Sequence, residues 1–495
     1  MKLKDVLCGI SYTGNVNTEA EITDIAYNSA AARENTVFTA LCGAQFDGHK
    51  YCADAYSRGC RVFAVQYIPE GLGADAEFIV CEDTRAALSR MSANFFRHPD
   101  REVKVIGITG TNGKTTQTFL LSRAFEKAGA KAGVIGTNGA VYGDLKIPTS
   151  NTTPESYETH KILRAMADAG CEYVFTEVSS LGIKQHRTDD IEYHIAIFTN
   201  FSPDHVGGPE HATVEEYLGC KLKLFSQCRN AVLNCDDAEF ERFKSVCSCK
   251  VYSFGTSSKA DYRAENITPL NKNGVFGVSG VLKTERESRE FAVSMPGAFS
   301  AYNALTVFCV CDICGVDKNK AAASLTEVSV EGRLEHLKIP NGADVFIDYA
   351  HNGDAVENIL KMLKEYEHNK IVAVIGCVGG RAQIRRAGVG TAAGRYSDFT
   401  VVSSDDPGFE SPEEIGEEVA GYVREAGGEC IVVPDRREAV AAAVKAAHEG
   451  DFLVLLGKGH ETAQKIKGQK VHYSDREEIE KYIAAANSKA ESAMI

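Results

Sequence analysis

The sequence has no run of about 18 apolar residues, the length that a membrane-spanning helix needs. Its opening, M-K-L-K-D-V-L-C-G-I, lacks the apolar core of an export signal. Positive charge is also scarce. Lys and Arg number 54 against 68 Asp and Glu, for a net charge of −14 and a pI near 5.5. That deficit argues against a nucleic-acid backbone or an anionic membrane as the main partner. A cytoplasmic protein is the expectation. A second C-x-x-C is missing too. Sixteen cysteines are scattered over 495 residues and only Cys311 and Cys314 have that spacing, so a disulfide framework and a structural zinc site are both poorly supported. Reduced thiols fit better, with Cys309, Cys311 and Cys314 in A-L-T-V-F-C-V-C-D-I-C-G acting as small buried hydrophobes on a helix.

What is present is the composition of an ordinary globular protein, 44% apolar and 25% charged. At 495 residues the chain exceeds a single core, and about 150 residues per domain suggests three. Residues 107–116 read G-I-T-G-T-N-G-K-T-T. An apolar β-branched run, Val103 to Ile108, precedes them and a helix-like stretch, Thr115 to Ala128, follows. Strand, glycine loop and helix in this order make a nucleotide phosphate site. Backbone N–H groups along Gly110, Thr111, Asn112, Gly113, Lys114, Thr115 and Thr116 can line one concave turn. Lys114 can neutralise the β/γ-phosphates and the Thr115 hydroxyl can ligate Mg²⁺. A chance glycine turn is the competing reading, against which stands Lys-Thr-Thr at a strand-to-helix junction. The spacing G-x-x-G-K-T is shorter than that of the ordinary P-loop NTPases.

Residues 1–98 alternate short strands and turns, with a helix-like stretch from Ala53 to Gly59, and form a first small α/β domain. H-P-D at 98–100 is a linker. Residues 99–331 alternate strand and helix: Tyr173–Val178, His194–Phe201 and Ala231–Asn234 are expected strands, Lys161–Ala169 and Val214–Ser226 expected helices. A mostly parallel sheet covered on both faces follows, and such sheets bind ligands beyond the carboxyl ends of their strands. There Glu177 and His205 could hold Mg²⁺ against the phosphates; an ordinary polar strand end is the alternative for either alone. Lys221, from helical periodicity, is a solvated surface lysine. Residues 332–495 form a second doubly wound domain whose strands at Val345–Ile347, Ile371–Ile375, Phe399–Val402 and Phe452–Leu456 each end in Gly, Asp, His or charged residues.

Seven segments now stand in order: G-I-T-G-T-N-G-K-T-T, N-T-T-P-E-S at 151–156, E-V-S-S at 177–180, T-N-F-S-P-D-H at 199–205, E-G-R-L-E at 331–335, D-Y-A-H at 348–351 and G-K-G-H-E-T at 457–462. With Asp47-Gly48-His49, the chain resembles a Mur ligase, most nearly of the MurE type. The resemblance implies a three-domain α/β enzyme of the cytoplasm, a central P-loop-type domain beside a Rossmann-like C-terminal one, that acts as a monomer. Its activity would be to add the third amino acid to UDP-N-acetylmuramoyl-L-Ala-D-Glu in peptidoglycan synthesis. ATP would phosphorylate the glutamate side-chain carboxylate, and an amine would displace the phosphate. By resemblance, Lys114 and Thr115 hold the phosphates and a first Mg²⁺, Glu177 is a metal ligand and His205 ligates a second Mg²⁺. Lys221 aligns with a lysine carbamylated by CO₂ (N6-carboxylysine). Asn303, Arg333 and Asp348 align with ATP contacts, and His351 with a contact to ATP or to the incoming amine. Ser29, Thr152, Thr153, Ser179, Gln185 and Arg187 align with positions binding the UDP-linked substrate. Arg381, Asp405, Asp406, Gly457, His460 and Glu461 would line the amino-acid pocket.

Four segments depart from the family pattern. D-S-R is Asn28-Ser29-Ala30, and the loop after the metal histidine reads Val206-Gly207-Gly208-Pro209. G-x-G-G-D-R-D-x-x-K-R has become Gly376-Cys377-Val378-Gly379-Gly380-Arg381-Ala382-Gln383, followed by Arg385 and Arg386. D-N-P-R, whose arginine pairs with the distal carboxylate of meso-diaminopimelate, is Asp405-Asp406-Pro407-Gly408. Glycine cannot make that pair and Asp406 adds negative charge, so L-lysine is favoured over diaminopimelate. A ligase-like nucleotide-binding protein without turnover, or a relative acting on another carboxylate acceptor, is the alternative. Folylpolyglutamate synthetases share the phosphate loop, but the N-terminal module and G-K-G-H-E argue against them.

Overall fold

A computed structural model describes residues 1–43, 46–203, 210–272, 275–327, 329–380 and 383–493. The chain divides into two units: Met1–Ala264 with Leu282–Ser288 and Leu305–Ser324, and Glu265–Val281 with Arg289–Ala304 and Leu325–Ile495.

The first unit opens with a four-stranded parallel sheet, Asp24–Ala26, Thr36–Thr39, Val62–Val65 and Glu77–Val80 in chain order. Helix Thr84–Phe95 starts where the Asp83 carboxylate accepts from the N–H groups of Arg85 and Ala86, a side-chain cap for otherwise unpaired helix donors. Its apolar residues Ala87, Leu88 and Met91 bury against Leu3, Val37 and Ile79. Polar ties join this module to the segments that follow. Tyr157 donates to Asp24 at 2.6 Å and Arg85 pairs with Glu155 at 3.2 Å.

The run read as a phosphate-loop strand is the strand Lys104–Thr109, near the middle of a larger sheet. Its parallel neighbours are Tyr173–Glu177 on one side and Tyr193–Phe198 on the other. Beyond these lie Ala132–Gly136, and Asn230–Asn234 followed by Lys250–Gly255, all parallel. An antiparallel hairpin, Gly139–Tyr142 with Leu145–Ile147, closes one edge. Val105, Ile106 and Ile108 are fully buried, as a strand covered on both faces requires. The expected strand His194–Phe201 ends at Phe198, because Thr199 and Asn200 turn to bond the phosphate loop. The expected helix Lys161–Ala169 begins earlier, at Ser156. Val214–Ser226 is α-helical to Lys223 and tightens into a 3₁₀ turn over Leu224–Ser226.

The second unit carries a six-stranded sheet in the order Glu335–Lys338, Asp344–Asp348, Phe452–Leu456, Ile371–Cys377, Phe399–Ser404, Cys430–Val432. The first pair is antiparallel and the rest are parallel. The four strands expected from sequence are present and two short edge strands join them. Helix Gly353–Leu363 buries Val356, Ile359, Leu360 and Leu363 on one face of this sheet, and helix Arg436–Ala446 buries Ala439, Val440, Ala443 and Val444 within a second apolar cluster. Both units are therefore α/β, with mostly parallel sheets whose carboxyl ends present loops. Among the described residues, no helix is long and apolar enough to cross a membrane.

Candidate active site

The loop after Lys104–Thr109 has the shape its glycines demand. Gly110 takes φ +150°, and a Cβ there would lie 1.9 Å from the Thr199 hydroxyl, so only glycine lets the loop approach the neighbouring strand end. Asn200 fastens the loop through its side chain and backbone. Its Oδ1 accepts from Asn112 N at 2.9 Å, its Nδ2 donates to Asn112 O at 3.1 Å, and its carbonyl accepts from Thr111 N at 2.9 Å. Lys114 opens helix Lys114–Lys127 and curls back, donating to the carbonyls of Gly110 and Thr111 at 2.8 and 2.9 Å.

Glu177, at the tip of the adjacent strand, is 1% exposed. Its Oε2 accepts from Thr115 Oγ1 at 2.9 Å and from Thr137 Oγ1 at 3.2 Å, and its Oε1 accepts from Thr137 N at 2.8 Å. A carboxylate and a threonine hydroxyl buried side by side at a phosphate loop suit Mg²⁺, which prefers hard oxygen ligands. Thr116 is buried on the same helix. His205 lies outside the described residues.

Lys221 is not the solvated lysine that periodicity suggests. It is 1% exposed, donates to Gly110 O at 2.8 Å and lies 4.5 Å from the centre of the Tyr217 ring. Helical spacing could not show this, because what buries Lys221 includes the phosphate loop 111 residues away in sequence.

Five residues matched to the UDP-linked substrate come together in one network. Thr153 Oγ1 donates to the Glu177 carbonyl at 2.9 Å and lies 3.0 Å from Ser179 Oγ, while Thr152 Oγ1 is 3.1 Å from Thr137 Oγ1. Arg187 donates to Thr153 O at 2.9 Å and to Gln185 Oε1 at 2.6 Å, and pairs with Glu155 at 2.8 Å. Burial pulls the Arg187 guanidinium below its ordinary value, with Glu155 opposing. Ser29 sits apart from this network in the N-terminal module, where its hydroxyl helps hold the Asp54 carboxyl below its usual range.

In the second unit, Asp348 ends its strand with both carboxylate oxygens engaged, by Leu334 N at 2.8 Å and Ala350 N at 2.7 Å. Burial raises this carboxyl, with Arg333 opposing. The Arg333 guanidinium lies 5.0 Å from the Tyr349 ring centre. Burial also pushes the His351 imidazole down, against a 2.8 Å bond between its Nδ1 and Tyr349 O. Asn303, in helix Phe299–Cys314, is buried.

Asp405, Asp406 and Glu461, expected in the amino-acid pocket, each contribute one oxygen to a group within 4.8 Å of one another. Gly457, at φ +110°, and His460, whose ring centre lies 5.0 Å from that of Tyr349 in a tilted contact, flank them. Arg381 lies outside the described residues. Sequence reasoning passed over Lys458, whose ammonium sits 2.9 Å from Asp406 and 3.4 Å from Asp405 and also contacts Glu461. It also missed Thr137, and His211, which is fully buried with Nε2 2.9 Å from Ser180 Oγ. Lys458 stood inside the G-K-G-H-E motif and could have been found there. His211 carried no sequence signal of its own.

A glycine loop between parallel strands, a lysine at its helix start and a carboxylate beside its threonine define a nucleotide-phosphate site of an ATP-using α/β enzyme. The model of the Mur ligase middle domain matches residues 108–311, and that of the Mur ligase, glutamate ligase domain matches 332–459. The chain is 36% identical to UDP-N-acetylmuramoyl-L-alanyl-D-glutamate--2,6-diaminopimelate ligase of Caldanaerobacter subterraneus subsp. tengcongensis, over 99% of this chain and 100% of that one. It is 36% identical to the Clostridium botulinum protein of the same name, over 98% and 99%. A solved structure of a ligase bearing that name superposes with a TM-score of 0.70 at 25% identity, covering 98% and 99%. The MurF ligase of Thermotoga maritima, solved in complex with ADP, shares the fold at a TM-score of 0.63 and 16% identity, covering 95% of this chain and 99% of that one. The chain belongs to the Mur ligase family and is of the MurE type.

Proposed function

We propose that this chain joins a diamino acid to the D-glutamate carboxylate of UDP-N-acetylmuramoyl-L-Ala-D-Glu, using ATP, as the third-residue step of peptidoglycan synthesis. The observation that carries the reading is the double engagement of Glu177. Its carboxylate accepts from Thr115 of the phosphate loop, and its carbonyl accepts from Thr153 of the Thr152–Arg187 network. One residue thus couples the phosphoryl donor's site to the acceptor's, which in-line transfer to a carboxylate needs.

In this reading Gly110 to Thr116 cradle the phosphates and Lys114 neutralises them. Thr115 and Glu177, with His205, hold Mg²⁺, which when bound supplies charge neutralisation for phosphoryl transfer. Arg187, Gln185, Ser179, Thr152 and Thr153 orient the acceptor, and Ser29 contacts its uridine. Lys221, as a carbamate, exchanges its cation for a carboxylate-like group beside the phosphate loop. Asn303, Arg333 and Asp348 take the family's nucleotide-contacting roles, and His351 a contact to the nucleotide or the amine. The division into domains at residues 98 and 331 belongs to the same proposal.

L-Lysine is the amino acid this reading favours. Asp406 and Glu461 offer carboxylates to a distal ammonium, and Gly408 offers nothing to a distal carboxylate. A second reading, meso-diaminopimelate, is favoured by the names of the relatives. It is favoured too by Arg385, a half-buried guanidinium with no carboxylate partner among the described residues that lies within electrostatic reach of His351. The test is a competition. The enzyme is given ATP, Mg²⁺, the UDP-linked dipeptide and equal L-lysine, meso-diaminopimelate and ornithine, and the nucleotide product is weighed by mass spectrometry. A lysine adduct is expected. A diaminopimelate adduct would establish the second reading, and no adduct despite ATP binding would point to a relative without this turnover.

A further inference from the structure

Lys458 has side-chain exposure of 0%, and the carboxylates around it are graded: Asp405 is 5% exposed, Asp406 14% and Glu461 35%. The ammonium occupies the place among these three oxygens where a divalent cation would otherwise fit. Burial works against it, yet Asp405, Glu461 and Asp406 outweigh burial and hold Lys458 above the ordinary lysine value. The acids are pinned in turn. Asp406 Oδ1 also accepts from Lys465 N at 3.1 Å, Glu461 Oε1 accepts from Tyr349 OH at 3.4 Å, and Gln464 holds the Asp405 carbonyl at 2.6 Å.

Three carboxylates this close cannot all stay ionised without a cation, since like charges drive one of them to take a proton. With Lys458 the group carries formal charge −2, or −1 if Asp405 keeps the proton that its burial favours. The outer two, Asp406 and Glu461, are the more exposed of the three. Arg436, paired with Asp475, also opposes the effect of burial on Asp405, ahead of Lys458.

We propose that Lys458 is a positioning residue whose buried ammonium holds Asp406 and Glu461 side by side as the receptor for the distal ammonium of the incoming amino acid. This rests on the reading of this pocket as the amino-acid site. Without Lys458, no ammonium would sit among the three acids to offset their mutual repulsion, and the receptor would spread.

The test compares the full-length wild type with Lys458→Met and Lys458→Arg at one pH near 8, using L-lysine and its uncharged isostere norleucine as amines. The wild type should show a KM for lysine at least tenfold below that for norleucine. Lys458→Met should raise the KM for lysine at least tenfold and raise that for norleucine less, with the KM for ATP unmoved, and Lys458→Arg should recover most of the lysine KM. Equal KM changes for the two amines, or a wild-type KM for lysine in Lys458→Met, overturns the role; a wild type that does not distinguish lysine from norleucine overturns it even if the methionine variant does not fold. Failure of the wild type to turn over any amine would instead overturn the amino-acid pocket itself, and the role of Lys458 with it.

Discussion

The Thr115 hydroxyl donates to the Glu177 carboxylate at 2.9 Å across 62 residues of sequence. Neither side chain is exposed, so the bond forms where the phosphate-loop strand and its neighbour end together. Thr115→Val and Glu177→Gln should each lower kcat by about 10²–10³-fold, the usual loss when one charge-stabilising group leaves a phosphoryl-transfer site. Initial rates over a Mg²⁺ titration check this. A rate within threefold of wild type for Glu177→Gln would exclude it from metal binding.

Lys221 touches the loop itself, through Gly110 O. Lys221→Ala should abolish ligation while ATP binding, read by equilibrium titration, persists. Added bicarbonate should rescue nothing, because the variant has no amine to carbamylate. An active Lys221→Ala enzyme would exclude the carbamate.

At the specificity segment, Gly408 has φ +62° and open space where a Cβ would point. Gly408→Arg should therefore be accommodated at the modest strain of a left-handed arginine, about 1–2 kcal/mol. Combined with Asp406→Asn, it should shift the ratio of kcat/KM for meso-diaminopimelate over L-lysine upward by about tenfold or more, the scale of a gained arginine–carboxylate pair. Competition kinetics with both amines would reveal the shift, and an unchanged ratio would place the discrimination elsewhere.

His160 is fully buried on helix Ser156–Asp168, and burial pushes its imidazole down to about 3. The unfolded chain would protonate it near pH 6.5. Between those values the unfolded state binds more protons, so stability is full above pH 6.5 and is lost as pH falls toward 3. The slope from this group approaches about 1.4 kcal/mol per pH unit. Denaturant titrations at pH 7, 5.5 and 4.5 should show a shallower pH dependence in His160→Gln than in the wild type.

The phosphate loop and the strands beside it were legible because an apolar β-branched run, a glycine pair and Lys-Thr-Thr announce both the element and its chemistry. Glu177 was legible through its place at a strand end. Lys221 was not, since its burial comes from contacts that no helical period encodes. Thr199 and Asn200 looked like strand because Thr is β-favouring, yet both leave the sheet to bond Asn112. Tyr262–Lys272 and Val275–Lys283 were missed as strands. The first reads Y-R-A-E-N-I-T-P-L-N-K, with a proline and several exposed polar residues that mask its alternation. The network from Thr152 to Arg187 was read through family motifs, because its members come from three separate segments.

Phosphate release from ATP by the purified enzyme with Mg²⁺ tests the account most directly. It would be followed with and without UDP-N-acetylmuramoyl-L-Ala-D-Glu, and with and without L-lysine. The account predicts sustained release only when both are present, at one phosphate per amide bond formed. Release that ignores the UDP-linked dipeptide, or none with any diamino acid while ATP still binds, would contradict it.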